Sequence, residues 1–303
     1  MSPPAVDEST APPPWVPLSF LCISGIGLIA GGLGAWFAAD RLANVPTHPG
    51  AVGAVHVSVL AFATMGVLGA LHQLTPVIGQ RTLRSTRAAG VTFAGMVLTV
   101  WALPSGFAHG PEWLIPAGGL IGFATVCLAA WNLSAPLSTR NGELTLVGLR
   151  MSVAYLVLTV AFGASYALDR SFLWFPLLSN RVLAHAHIGL LGWLGLTYVS
   201  VAEKLWPMFM GSTRTRSRSG PVAIACLGTG TIVLAAGLLF AVPALGWLGG
   251  VLAAVGICAH LVSLAGYVRH RGADLEMFHG FVFSSAAFVV AAVVLGALAA
   301  WPG

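Results

Sequence analysis

Two stretches of the chain, HVSVLAFATMGVLGALHQLTP at residues 56–76 and HIGLLGWLGLTYVSVAEKLWP at residues 187–207, begin with a histidine and end with a proline. They align without a gap at an offset of 131 residues, which is 187 minus 56. Each lies inside a longer apolar segment, and a helix needs about 20 apolar residues to cross a bilayer. The two stretches therefore predict two matching transmembrane helices.

The composition of the whole chain extends this prediction. Of its 303 residues, 57% are hydrophobic and 8% are charged, whereas a soluble domain carries about 25% charged residues. Lipid must then be the main solvent, and backbone groups in lipid are satisfied within helices. The net charge of +5 is modest, and we interpret it as membrane topology and not as nucleic-acid binding.

The apolar segments predict an all-α, polytopic transmembrane bundle. Residues 1–14, MSPPAVDESTAPPP, are rich in proline and are predicted to form a disordered tail. Residues 15–303 then form one transmembrane domain. The nine predicted spans are 16–39, 51–78, 88–108, 113–134, 145–168, 181–210, 220–242, 245–268 and 277–301.

The loop charges predict the orientation of these spans. Eleven of the 14 Lys and Arg residues fall on one side, and only Arg41, Arg170 and Arg181 fall on the other. Cytoplasmic loops carry an excess of Lys and Arg. This rule predicts a cytoplasmic N-terminus, an outer C-terminus and outer ends for the two histidine-bearing spans.

The matching stretches also predict an internal repeat. Repeat one covers about 15–134, repeat two covers about 145–268, and the helix at 277–301 is extra. The pairs Asp40-Arg41 and Asp169-Arg170 match at an offset of 129 residues, and each is predicted to end a helix on the outer side. An even number of spans in each unit predicts a parallel repeat, whose symmetry axis lies along the membrane normal.

The histidines that open the two stretches, His56 and His187, are candidate metal ligands. Ionisable side chains inside a bilayer are rare and usually functional, and a neutral imidazole is a good ligand for haem iron. Equivalent positions on parallel helices would bring both rings to one depth, as axial ligation requires. Haem propionates would then face the arginines of the outer side, which are Arg41, Arg170 and Arg181. The alternative is that each histidine only hydrogen-bonds a neighbouring helix.

A third histidine, His185, lies two residues before His187. Residues two apart on an α-helix point about 200° away from each other, so the two rings address different neighbours. His185 is therefore predicted to serve a second haem, a copper ion or a backbone carbonyl. Glu203 lies five whole turns further on and is predicted to share the face of His185. Three other histidines fall near the inner side and suggest an alternative inner metal site: His72, His260 and His279.

These residues resemble a known family. The segment 184–189, AHAHIG, looks like the HxH helix of haem–copper oxidase subunit I. That resemblance implies that His185 binds a high-spin haem, and that His187 and His56 bind a low-spin haem. With HQLTP at 72–76, the chain is also similar to short NnrS-like relatives linked to nitric oxide metabolism. The chain lacks the family's copper-ligand motifs, a His-Pro-Glu pattern and an adjacent His-His pair.

The sequence thus predicts a plasma-membrane protein that binds haem b, with a second haem and copper as further alternatives. Its four cysteines occur singly, without the CxxCH pattern of covalently attached haem. Electron transfer or nitric oxide handling is the expected role, with a redox partner or oxidase subunits as partners besides lipid. No catalytic residue is predicted, and any enzymatic activity would be that of an oxidoreductase. A small-solute transporter and an oxidase-assembly subunit without haem are the rival hypotheses.

Overall fold

The computed structural model describes residues 10–140, 142–173 and 180–300. Residues 1–9 of the predicted tail and residue 301 of the last predicted span lie outside this part of the chain. Within it, nine helices are long and apolar enough to cross a membrane, which confirms the predicted polytopic bundle. They are α1 (Trp15–Phe37), α2 (Pro49–Gly79), α3 (Thr86–Ala108), α4 (Leu114–Leu137), α5 (Leu144–Phe172), α6 (Arg181–Phe209), α7 (Gly220–Leu239), α8 (Pro243–Arg269) and α9 (Met277–Ala300).

The two ends of the bundle differ in their charges. We call the end at which α2 and α6 begin the histidine end; it carries Arg41, Arg170 and Arg181. The opposite end, where α2 and α6 terminate, is the arginine-rich end. Large apolar side chains such as Trp36, Phe281 and Phe288 are mostly exposed on the sides of the bundle, as expected for a surface that contacts lipid.

The helices pack in the same pairs in both halves of the chain. In the first half α1 packs on α2 and α3 on α4, and in the second half α5 packs on α6 and α7 on α8, while α4 and α5 join the halves. The tightest of these interfaces, between α7 and α8, is lined by glycines such as Gly237 and Gly249, where an added Cβ would overlap the facing backbone. Small residues allow such close approach in membranes.

Both histidine-bearing helices contain a π-helical segment. In α2 it covers Val57–Thr64 and in α6 it covers Ile188–Gly195. The two segments have equal length and are separated by 131 residues, the offset that the sequence predicted for the repeat. Each begins directly after its histidine, His56 or His187. Because π-helical hydrogen bonds run from i to i+5, each segment turns the residues beyond it relative to a straight α-helix.

Neighbouring side chains support the unusual backbone of these segments. Ser24 of α1 donates a hydrogen bond of 2.8 Å to the Phe62 carbonyl, and Gly27 lies against the backbone of Ala61. Trp193 of α6 donates from Nε1 to Thr64 Oγ1 at 3.3 Å, which ties one π segment to the other. A side-chain hydrogen bond thus links the two segments across the bundle.

One detail at the histidine end differs from the sequence-based prediction. The two Asp-Arg pairs do not end equivalent helices. The backbone leaves the helical region at Ala38, so Asp40 and Arg41 lie on a separate short helix, Ala39–Asn44. In contrast, α5 continues through Asp169 and Arg170 to Phe172, because Asp169 is buried against the bundle and does not mark the water boundary.

Candidate functional site

The imidazole of His56 is held in one orientation by its own helix. Its Nδ1 lies 2.8 Å from the carbonyl oxygen of Val52, four residues earlier. A carbonyl oxygen only accepts hydrogen bonds, so Nδ1 must carry the proton and Nε2 is left with a lone pair when the ring is neutral. This is the arrangement that metal-binding histidines use, with one ring nitrogen bonded to a carbonyl and the other free to ligate.

His187 has the same local arrangement. Its Nδ1 lies 2.7 Å from the carbonyl oxygen of Leu183, which is the repeat equivalent of Val52. His270, near the arginine-rich end, makes a similar bond to Gly266 at 2.8 Å. This hydrogen bond therefore does not by itself identify a metal ligand. The position of the ring relative to other possible ligands is needed as well.

The structure brings His56 close to His185. The centroids of the two rings are 6.5 Å apart, and the ring planes differ by 18°. The only polar contact described for His187 is the bond to its own helix. The ring contacts within the described residues thus pair His56 with the first histidine of the HxH segment, while the predicted pairing of His56 with His187 stays a prediction.

Aromatic side chains flank this histidine pair. Phe107 of α3 lies against His56, with ring centroids 5.6 Å apart and planes at 28°. Tyr166 of α5 meets His185 edge-on at 6.1 Å and 73°. No sequence pattern indicated either aromatic residue, because neither has a spacing that relates it to a histidine in another helix.

The His185 ring bonds the backbone of Thr159 and, among the described residues, leaves one nitrogen unpartnered. Its Nδ1 is buried and makes no hydrogen bond within the described residues, and the same is true of the Tyr166 hydroxyl. Gly163 faces the ring from α5, where a Cβ would lie 3.1 Å from His185 Cε1. A buried polar atom without a partner costs free energy, so these two groups are candidates to contact a bound group.

The three predicted arginines lie at the histidine end. The Arg170 guanidinium lies over the Phe107 ring at 6.0 Å and 4.0 Å from the Glu112 carboxylate. Arg41 packs on the first turn of α2, where a Cβ at Gly50 would lie 2.8 Å from Nη1. Arg181 begins α6, one turn before His185. The three predicted cations therefore lie at the same end of the bundle as the histidine pair.

The three inner histidines have separate partners in the structure. His72 stacks on Phe20 at 5.2 Å, and His260 contacts Glu203. His279 lies 2.9 Å from the Phe209 carbonyl oxygen. Within the described ranges, no group of three or more His, Cys, Asp or Glu side chains is arranged to hold a metal ion.

The predicted common face of His185 and Glu203 is not observed. His185 faces His56 and Tyr166, whereas Glu203 faces His260 of α8. The prediction assumed a straight α-helix between the two residues. The π segment Ile188–Gly195 lies between them and changes their relative rotation about the axis.

No protein-family model matches the chain, and no curated protein matches it.

Proposed function

We propose that the protein is an integral-membrane protein that binds a b-type haem between α2 and α6 at the histidine end. The observation that carries the proposal is the approach of the His56 and His185 rings, nearly parallel and 6.5 Å apart. The two side chains come from different helices, and the π segments that follow the histidines in both helices are of a kind frequent at functional sites.

The ring separation suits ligation of one metal ion by both histidines. Two metal–nitrogen bonds of about 2.0–2.1 Å place the nitrogens about 4 Å apart, and the ring centroids then lie about 6.4 Å apart. Direct face-to-face packing of two rings would bring their atoms to about 3.5–4.0 Å. We therefore favour His56 and His185 as the two residues that would hold the haem iron. His187, which the family resemblance assigns to the same haem as His56, is the competing partner.

The surroundings of the pair fit the rest of a haem. Phe107 and Tyr166 would supply aromatic walls, and the arginines of the histidine end would supply cations for two propionate groups. Arginine suits carboxylates because its planar fork forms two parallel hydrogen bonds. An apolar shell and nearby cations are also the features with which proteins adjust a haem's reduction potential.

Haem iron would supply one-electron transfer. If His56 and His185 both held the iron, no position on it would remain open, so the proposed role is electron transfer rather than gas binding or catalysis. Handling of nitric oxide would require one histidine to dissociate. We further propose, from the arginine distribution, that the protein lies in a bacterial plasma membrane with the histidine end outside, and that it exchanges electrons with a redox partner or with oxidase subunits.

An absorption spectrum tests the proposal. We expect the protein purified in detergent to show sharp bands in the reduced-minus-oxidised difference spectrum, and His56→Ala to lose them. His270→Ala is the matched control, because His270 makes the same type of bond to its helix at the other end. A folded but colourless wild-type protein, after expression with haem supplied, would contradict the proposal and favour the transporter or the assembly subunit.

A further inference from the structure

A second group of ionisable side chains lies at the arginine-rich end, apart from the histidine pair. The Tyr267 hydroxyl donates a hydrogen bond of 2.8 Å to Glu203 Oε2, and His260 Nδ1 lies 3.4 Å from Glu203 Oε1. His260 is fully buried, Tyr267 is 1% exposed and Glu203 is 7% exposed. We call these three residues, on α6 and α8, the Glu203 cluster.

The charge of the Glu203 cluster is poorly compensated in its ionised form. A carboxylate next to a neutral imidazole and a phenol carries one net negative charge in an apolar region, which is costly. Gly220, the first residue of α7, reduces this cost because it brings the positive end of a helix dipole to the carboxylate; a Cβ there would lie 2.5 Å from Oε2.

A cleft connects the Glu203 cluster to the surface. It has a volume of about 520 Å³, and Glu203 and Tyr267 line its inner part. Lys204 also lines the cleft, but its ammonium group forms an ion pair with the Glu143 carboxylate, 3.1 Å away. The other ionisable groups that face the cluster or the cleft are Tyr198, which meets the His260 ring edge-on at 5.4 Å, and the basic residues Arg214 and Arg216.

His260 is the innermost member of the Glu203 cluster. Its Nε2 is buried and has no hydrogen-bond partner in the described part of the chain. The equivalent of Glu203 in the first repeat, at an offset of 131 residues, is His72, whose Nδ1 bonds only the Leu68 carbonyl of its own helix. The cluster is therefore specific to the second repeat, and the pseudo-symmetry of the helices does not explain it.

We propose that the Glu203 cluster is a proton-exchange site that opens to the aqueous phase at the arginine-rich end. In uptake, a hydronium ion in the cleft gives a proton to the Glu203 carboxylate, an O–H bond forms and a water molecule remains. In release, the O–H bond breaks and the proton returns to water. Tyr267 positions the carboxylate, and His260 is the neighbouring group that can accept the proton further inside. This proposal does not depend on haem binding.

Carbodiimide labelling tests the proposal on the full-length protein in lipid nanodiscs. Dicyclohexylcarbodiimide enters apolar regions and reacts with protonated carboxyl groups, and mass spectrometry of peptides locates the label. We expect labelling of Glu203 that increases as the pH of the buffer falls. We expect Tyr267→Phe to move the midpoint of this profile to higher pH by about one unit, because the ionised carboxylate loses a hydrogen-bond donor.

Two comparisons separate proton exchange from a purely structural role. Tyr155→Phe is the matched control, since the Tyr155 hydroxyl bonds the Gly228 carbonyl and does not touch the cluster; its profile should equal that of the wild type. Circular dichroism checks that each variant remains helical. No labelling of Glu203 at any pH, labelling that is independent of pH, or equal profiles for wild type and Tyr267→Phe would each overturn the proposal.

Discussion

The proposal that His185 pairs with His56 can be tested by substitutions in α5, which packs against the His185 ring. Gly163 faces the His185 ring, and a Cβ at this position would lie 3.1 Å from Cε1. Non-bonded carbon atoms prefer separations of about 3.5–4.0 Å, so an added methyl group moves the ring by about 0.4–0.9 Å. Gly163→Val adds further carbons on the same side and should displace the ring by more.

This displacement has a predictable cost if His185 is an axial ligand. Ligand geometry has to be kept within about 0.5 Å, and overpacking typically costs about 1–3 kcal/mol. At about 1.4 kcal/mol for each factor of ten, Gly163→Val should weaken haem binding by about 5- to 140-fold. Gly163→Ala should have a smaller effect in the same direction.

The assay is haem titration of apoprotein in detergent, followed by absorption in the haem region. Gly32→Val is the matched control, because Gly32 lies on α1 with open space around it, and its haem affinity should equal that of the wild type. His187→Ala should retain the spectrum of a haem with two histidine ligands. If His187→Ala loses that spectrum while Gly163→Val keeps wild-type affinity, His187 is the partner of His56 and our assignment of His185 is wrong.

Two further predictions concern the charge near the site and the packing of the bundle. Replacing Arg170 with alanine should lower the haem midpoint potential by about 10–40 mV, because a partly exposed cation contributes up to about 1 kcal/mol. Redox titration measures this potential. Arg81→Ala, at the opposite end of the bundle, should leave it unchanged. Gly249→Leu should destabilise the protein by about 1–3 kcal/mol, because its Cβ overlaps the Leu234 backbone. Gly250→Leu, one residue further in open space, should leave the unfolding midpoint in denaturing detergent nearly unchanged, and equal midpoints for both variants would contradict this account of α7–α8 packing.

The histidine pair shows which part of the candidate site a sequence pattern could predict. Matched positions in two parallel spans predicted that His56 and His187 meet at one depth, and that pairing stays a prediction. They did not predict that His56 approaches His185, because two residues of the same HxH segment differ by a rotation about the axis and hardly differ in depth. The rotation of α6 relative to α2 depends on Tyr155, Gly163 and other residues of α5 that pack against it.

The Glu203 cluster, too, could be predicted from the sequence only in part. A lone glutamate in an apolar helix was visible in the sequence, but its partners His260 and Tyr267 lie 57 and 64 residues further along the chain. No periodic pattern relates residues on separate helices.

Hydropathy along the chain was sufficient for the nine spans within the described residues, because lipid imposes helices on any apolar stretch long enough to cross it. The π segments, the His56–His185 approach and the Glu203 cluster emerged only when the helices were packed. Each depends on how one helix is rotated against its neighbours, and that rotation results from close contacts between segments distant in the sequence, such as Trp193 with Thr64.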